Sequence, residues 1–133
     1  MDAISVNTTS RNQMIDVTAH VRAAVRKSGV KSGVCLVFVP HTTAAVTINE
    51  NADGTVRSDI LAGLERIAPA NAGYAHAEGN SDAHIKSTLV GCQLSVFVEK
   101  GELVLGTWQG IWFCEFDGPR ARKMYVKVIE DAS

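Results

Sequence analysis

Cysteine is scarce in this 133-residue chain: Cys35, Cys92 and Cys114 are odd in number and lack any CxxC spacing. That excludes a disulfide framework and the zinc or redox motifs built on paired cysteines. All three fall in or at the edge of apolar, strand-like runs and read as buried, reduced thiols. A nucleophilic cysteine is disfavoured, because thiolate chemistry needs an exposed electropositive setting. No apolar run approaches the ~18 residues a bilayer demands, and no charged-then-apolar leader opens the chain. The expectation is a cytoplasmic protein with no membrane partner. Neither sign of charge dominates: 13 Lys and Arg stand against 14 Asp and Glu, for a net charge of -1. There is no broad basic field, which argues against nucleic acid as a partner. Walker-type phosphate loops, an HExxH pair, repeats, linkers and low-complexity tracts are also missing.

What remains is one domain, residues 1–133, long enough to bury a core without disulfides or a structural metal. Any metal would therefore be functional, and partners would be small molecules or copies of the chain. Alternation predicts a first strand over Ile4 to Thr9. Val17, Val21, Ala24 and Val25 then predict a helix over Asp16 to Ser28, with Asp16 or Thr18 as cap and Gly29 as stop. Val34 to Val39, ended by Pro40, reads as a central buried strand, and Ala45 to Asn49 resumes alternation. A second helix runs from about Asp53 to Ile67, with Val56, Ile60, Leu64 and Ile67 on one face and Pro69 beyond its end. Ala70 to Asn80 shows no periodicity and is loop. Ser81, Ile85, Thr88 and Leu89 predict a short helix capped by Ser81 and ended by Gly91. Four strands follow: Gln93 to Glu99 and Glu102 to Leu105 around a Lys100-Gly101 hairpin, Thr107 to Phe116, and Lys123 to Ile129. The fold class is α+β, a mostly antiparallel sheet or β-sandwich-like core with helices packed on it.

Three of the four histidines lie in polar segments, His41 after Pro40, His76 in the long loop and His84 in the short helix, while His20 sits in an ordinary helical pattern. Imidazole is the commonest ligand of zinc-like metals and titrates near neutrality, so the three are candidate metal ligands. Each alone could equally be a hydrogen-bonded packing residue. Asn49-Glu50-Asn51-Ala52-Asp53 joins a strand end to a helix start. Capping explains one of these residues, whereas Glu50 and Asp53 could instead hold magnesium. Strand parity puts Gln109, Ile111, Phe113, Glu115 and Asp117 on one face. Glu115 and Asp117 therefore form either a proton- or cation-handling pair or a strand end neutralised by Arg120, Arg122 and Lys123. Gly79-Asn80-Ser81, ahead of a helix, offers free N–H groups to an anion or simply caps it.

HTTAAVTINENAD (His41 to Asp53), H-x-EGN-x-DAHIKSTLVG (His76 to Gly91) and GTWQGIWFCEFDGPR (Gly106 to Arg120) together resemble the YjbQ-like family, which carries the name secondary thiamine-phosphate synthase enzyme. The resemblance spans almost the whole chain; Gly54 departs from the proline that relatives often carry there. It implies a compact α+β fold, a homotrimer with polar residues near subunit boundaries, and one metal-capable site made by His41, His76 and His84, with Asp53 as a further metal candidate. It implies coupling of a hydroxymethylpyrimidine diphosphate to a thiazole phosphate. Glu115, Arg120 and Glu50 are the catalytic candidates, and Thr42, Thr43, Asn49, Asn80, Gln109 and Asp117 the substrate-binding ones. The cofactor is a divalent metal, zinc or magnesium, and the ligand a small phosphorylated metabolite. A metal-dependent hydrolase of such a metabolite and a non-catalytic metal- or metabolite-binding protein are the alternatives.

Overall fold

The computed structural model describes residues 1–132. In chain order the elements are β1 (Asp2–Asn7), β2 (Gln13–Asp16), α1 (Thr18–Ser28), β3 (Ser32–Phe38), β4 (Ala44–Glu50), α2 (Gly54–Ile67), α3 (Ser81–Val90), β5 (Gln93–Glu99), β6 (Glu102–Leu103), β7 (Gln109–Glu115) and β8 (Ala121–Glu130). Two antiparallel sheets form, one in the order β1-β8-β3-β5-β6 and one in the order β2-β7-β4. The α+β class is as the pattern predicted, and β2 is the strand that alternation did not reveal. Its Met14 is its one deeply buried residue, and it owes its existence to pairing along β7, Gln13 opposite Glu115 and Asp16 opposite Trp112.

The main core lies between the sheets. Cys35 and Val37 of β3, Met124 and Val126 of β8, and Ile111 and Phe113 of β7 meet there, joined by the Val21, Ala24 and Val25 face of α1. Thr18 N–H and hydroxyl both donate to Asp16, so Asp16 closes the turn into α1 while itself ending β2, and Gly29 stops the helix at φ 71°. The other face of β7 carries Trp112, Cys114 and Phe116 and is covered by Ile60, Leu61 and Leu64 of α2 and Ala83 of α3. Ile67, expected on that face, is exposed. β3 alternates rather than being buried on both sides: Leu36 and Phe38 look out with Phe97 and Ile129 from a sheet face that, among the described residues, no helix covers.

Helix α3 reverses the expected pattern. Ile85 and Leu89 face solvent, while Asp82, Ala83, Lys86 and Ser87 are the buried residues. The reason is a buried ion network. Lys86, 1% exposed, donates to Glu65 of α2, to Asp82 and to Asn12, and Asp82, 0% exposed, also accepts from Arg11 at 3.0 Å. Charges so deeply buried persist only when paired. The network fixes α3 against α2 and the β1–β2 connection, and with them the residues at the helix start.

Candidate functional site

A cavity of about 680 Å³ opens where β3 ends, bounded by residues 38–43, the start of α3, and the 117–122 connection from β7 to β8. His41, His76 and His84 all line it, with Thr42, Thr43, Asn80, Asp117 and Arg120 from the candidate set. His41 Nε2 accepts the Lys123 N–H at 3.1 Å. Burial and the nearby Arg122 guanidinium hold its pKa below the ordinary value. The ring is thus neutral at pH 7 and carries its proton on Nδ1. His84 sits in the first turns of α3, and its ring meets that of His76 edge to face, centroids 5.7 Å apart. His76 arrives on the exposed loop after α2, with Glu78 3.9 Å from its Nε2.

Asn80 precedes α3 as its cap residue, and its Nδ2 donates to Asp117 at 2.9 Å. Arg120 donates to the Asp117 carboxylate at 3.1 Å and, through Nε, to its carbonyl at 2.8 Å. Burial raises the Asp117 carboxyl, but Asn80, Arg120 and Arg11, whose guanidinium lies 3.8 Å away, outweigh it and hold its pKa below the ordinary value. Arg120 itself is half-exposed and keeps a face toward the cavity.

Glu115 is the pair member that does not reach the cavity. It is 0% exposed, and both oxygens are engaged: Arg122 Nε donates at 2.8 Å, Thr8 at 2.7 Å, and the N–H groups of Phe116 and Asp117 at 3.0 and 3.1 Å. Burial pushes its carboxyl up, and these donors together bring it below its usual range. Of the two readings of the Glu115–Asp117 pair, the geometry realises neutralisation, with Arg122 as the partner. Arg122 also donates to Thr43 Oγ1 at 2.8 Å, so the ion pair props the cavity wall from behind.

The remaining candidates lie elsewhere within the chain. β4 pairs Ala44 with Glu115 at the cavity end and Glu50 with Gln109 at the other, a separation of about 20 Å at ~3.3 Å per residue. Asp53 caps α2, accepting from Thr55 N–H at 2.9 Å and hydroxyl at 2.7 Å. Gln109 accepts from Gly106 N–H, and Asn49 from Glu50 N–H. Asn49, Glu50, Asp53 and Gln109 are therefore not brought to the histidines of their own chain.

The chain matches the model of the family described as UPF0047 protein YjbQ-like over residues 2–131. It belongs to the YjbQ-like UPF0047 family. YjbQ-like relatives include a UPF0047 protein of Methanocaldococcus jannaschii, 51% identical over 95% of this chain and 91% of the relative, and YugU of Bacillus subtilis, 48% identical over 97% and 98%. A crystal structure of an uncharacterized YjbQ/UPF0047 protein from Clostridium acetobutylicum superposes with a TM-score of 0.96 at 52% identity, covering 97% of this chain and all of that one. A YbjQ-like protein of unknown function from Sulfolobus solfataricus gives 0.95 at 36% identity, covering 98% and 96%.

In this YjbQ-like chain the donor set around the cavity suits a borderline metal: the imidazoles of His76 and His84 and the thiol of Cys92, whereas His41, expected as a third ligand, spends its Nε2 lone pair on the Lys123 N–H. Two imidazoles sharing a tetrahedral zinc have ring centres about 5 Å apart, given Zn–N distances of ~2.0–2.1 Å; His76 and His84 stand close to that spacing. Among the described residues no three His, Cys, Asp or Glu side chains stand close enough to hold an ion as placed. Magnesium, which prefers carboxylate oxygen, finds Glu50 and Asp53 only at the far end of β4. Cys92 corrects the reading of all three cysteines as buried: Cys35 and Cys114 are, but Cys92 is exposed at the cavity wall, in the link between α3 and β5. Arg122 was visible in the sequence only as one of a run of bases. Its parity with Met124 and Val126 was the signal that it faces inward.

Proposed function

We propose that this protein is a transferase of the thiamine-phosphate synthase type, acting on a small diphosphorylated metabolite in the histidine-lined cavity. The observation that carries this reading is the convergence of His41, His76, His84 and Arg120 on one open cavity in which the acidic residues, Asp117 and Glu78, each stand beside a basic side chain. The thiazole ring nitrogen attacks the methylene carbon of the pyrimidine, forming the C–N bond as the C–O bond to diphosphate breaks and its electron pair leaves with pyrophosphate. Arg120, positioned by Asp117, offsets the charge that gathers on the leaving oxygens. His41, neutral with its proton on Nδ1, donates a hydrogen bond from that atom. His76 and His84 are the residues that would hold a zinc-like cation, which would supply Lewis-acid stabilisation of a leaving diphosphate. Asp117 holds Arg120 and Asn80 in place, and Glu115 acts behind the wall through Arg122.

Copies of the chain assemble as a trimer through the bare outer face of the five-stranded sheet. Phe38, 43% exposed, belongs both to that face and to the cavity lining, so a neighbour seated there also walls the site. Closed cyclic symmetry is the usual outcome of such association. The deciding experiment supplies hydroxymethylpyrimidine diphosphate and thiazole phosphate and follows thiamine phosphate and pyrophosphate together. Phosphate release from a simple ester without coupling would replace this reading with a hydrolase. Tight binding without turnover would replace it with a binding protein.

A further inference from the structure

A second cavity, of about 330 Å³, lies against the first, and the two share His41, Thr42, His84 and Cys92. Their own walls differ in kind. The larger one carries Arg120, Arg122, Asp117 and Glu78, whereas no Lys, Arg, Asp or Glu lines the smaller. Among the described residues just two buried side-chain polar atoms lack a hydrogen-bond partner, Asn80 Oδ1 and Ser87 Oγ. Each belongs to a residue lining one of the two cavities, Asn80 the larger and Ser87 the smaller. Both residues are 8% exposed. Native proteins rarely leave such groups orphaned, and a partner supplied from outside the chain is one reason they do. Thr88, next to Ser87, spends its proton on the His84 carbonyl at 2.8 Å, leaving its oxygen able only to accept. The Asn80 amide is oriented by Asp117, so its free atom is an acceptor.

We propose that the smaller cavity is a binding subsite for the uncharged, ring-sized organic part of a ligand, hydrogen-bonded by Ser87, while the anionic part occupies the larger cavity beside Arg120. Its volume falls at the low end of ligand pockets, ~300–1,000 Å³, as a single substituted ring requires. The shared residues then lie where the charged and neutral parts join. This rests on the cavity taking a phosphorylated metabolite, and it adds where the uncharged part goes.

The test titrates the full-length chain, labelled for amide NMR, with three probes: inorganic pyrophosphate and the two uncharged rings, hydroxymethylpyrimidine and hydroxyethylthiazole. Pyrophosphate should shift the Asn80 and Arg120 amides, and one of the rings those of Ser87, Thr88 and Gly91, which identifies the ring. Ser87→Ala should weaken that ring by about three- to tenfold, the scale of one net hydrogen bond, and leave pyrophosphate affinity within about twofold of wild type. Pyrophosphate binding also reports that the variant is folded. The subsite is overturned if neither ring moves those amides, or if Ser87→Ala binds its ring as well as wild type does. Ring binding without thiamine phosphate formation sinks the transferase reading and keeps the subsite; turnover without ring shifts at Ser87 sinks the subsite alone.

Discussion

Removing the Arg122 guanidinium should destabilise this domain more than truncating any of the half-exposed polar residues that line the cavity. Arg122→Ala takes away both hydrogen bonds to Glu115 and the two to Thr43, leaving a fully buried carboxylate with only Thr8 and two backbone N–H groups. Breaking a buried ion pair from one side costs about 3–5 kcal/mol, against a total stability of roughly 5–15 kcal/mol for a domain. At ~2.1 cal/mol/K of unfolding entropy per residue, that lowers the melting temperature of a chain this long by roughly 11–18 °C. Removing both charges with Arg122→Met and Glu115→Leu should return most of the loss, because no isolated charge remains. Sign follows from linkage. In the single variant burial still disfavours the charged Glu115 carboxyl while the lowering effect of Arg122 is gone, so the penalty is greatest where the carboxyl is charged, at pH 7, and should shrink as it protonates at lower pH. Scanning calorimetry of the wild type, the single and the double variant at pH 7 and pH 5 measures all of this. A fall of under ~4 °C for Arg122→Ala at pH 7, or a double variant no better than the single, would refute the buried pair as a structural prop.

In wild type, Asp16, Glu65, Asp117 and Glu115 all have lowered pKa values relative to 3.8 or 4.5, and His41 relative to 6.5. Depressed groups stabilise above their unfolded values, so melting temperature should begin to slip below about pH 6.5 and drop steeply below about pH 4; a flat profile down to pH 3 would contradict these pairings. His84→Ala should lower zinc affinity at least ~10-fold while His20→Ala leaves it unchanged, read as metal per chain after equilibrium dialysis. An aromatic disulfide reagent should modify one thiol quickly, Cys92, and leave Cys35 and Cys114 until unfolding, since burial pushes their pKa values up to about 11 and about 12; mass mapping of the first adduct checks the assignment.

Helix α1 was legible because its buried face is apolar at 3.6-residue spacing and Gly29 supplies the left-handed stop. The same rule misread α3, whose buried side is Asp82, Lys86 and Ser87: the partners that make this favourable, Glu65, Asn12 and Arg11, come from distant segments, and periodicity has no access to them. β2 was invisible for a related reason, a four-residue strand specified by its neighbour β7 rather than by its own alternation. At the site, residue chemistry and family resemblance brought out the three histidines, Asn80, Asp117 and Arg120, which share the cavity. The Asn49-to-Asp53 cluster looked equally chemical because polar helix caps and polar ligands use the same residue types, and only strand direction shows that it sits at the other end of β4.

The bare outer face of the five-stranded sheet carries a thermodynamic consequence of its own. Phe97, 69% exposed, and Ile129, 47% exposed, flank Val34 across three adjacent strands, a sheet surface that the proposed association would remove from water. Under the assembly proposed above, folding and self-association would be linked by mass action, and no single unfolding free energy would describe the protein. Melting temperature should climb with protein concentration, and Phe97→Lys should flatten that climb while leaving the inter-sheet core untouched. Exposed apolar strands of this kind are also a surface from which aggregation can start, so Phe97→Lys should lower the tendency of the chain to aggregate, read by light scattering on heating.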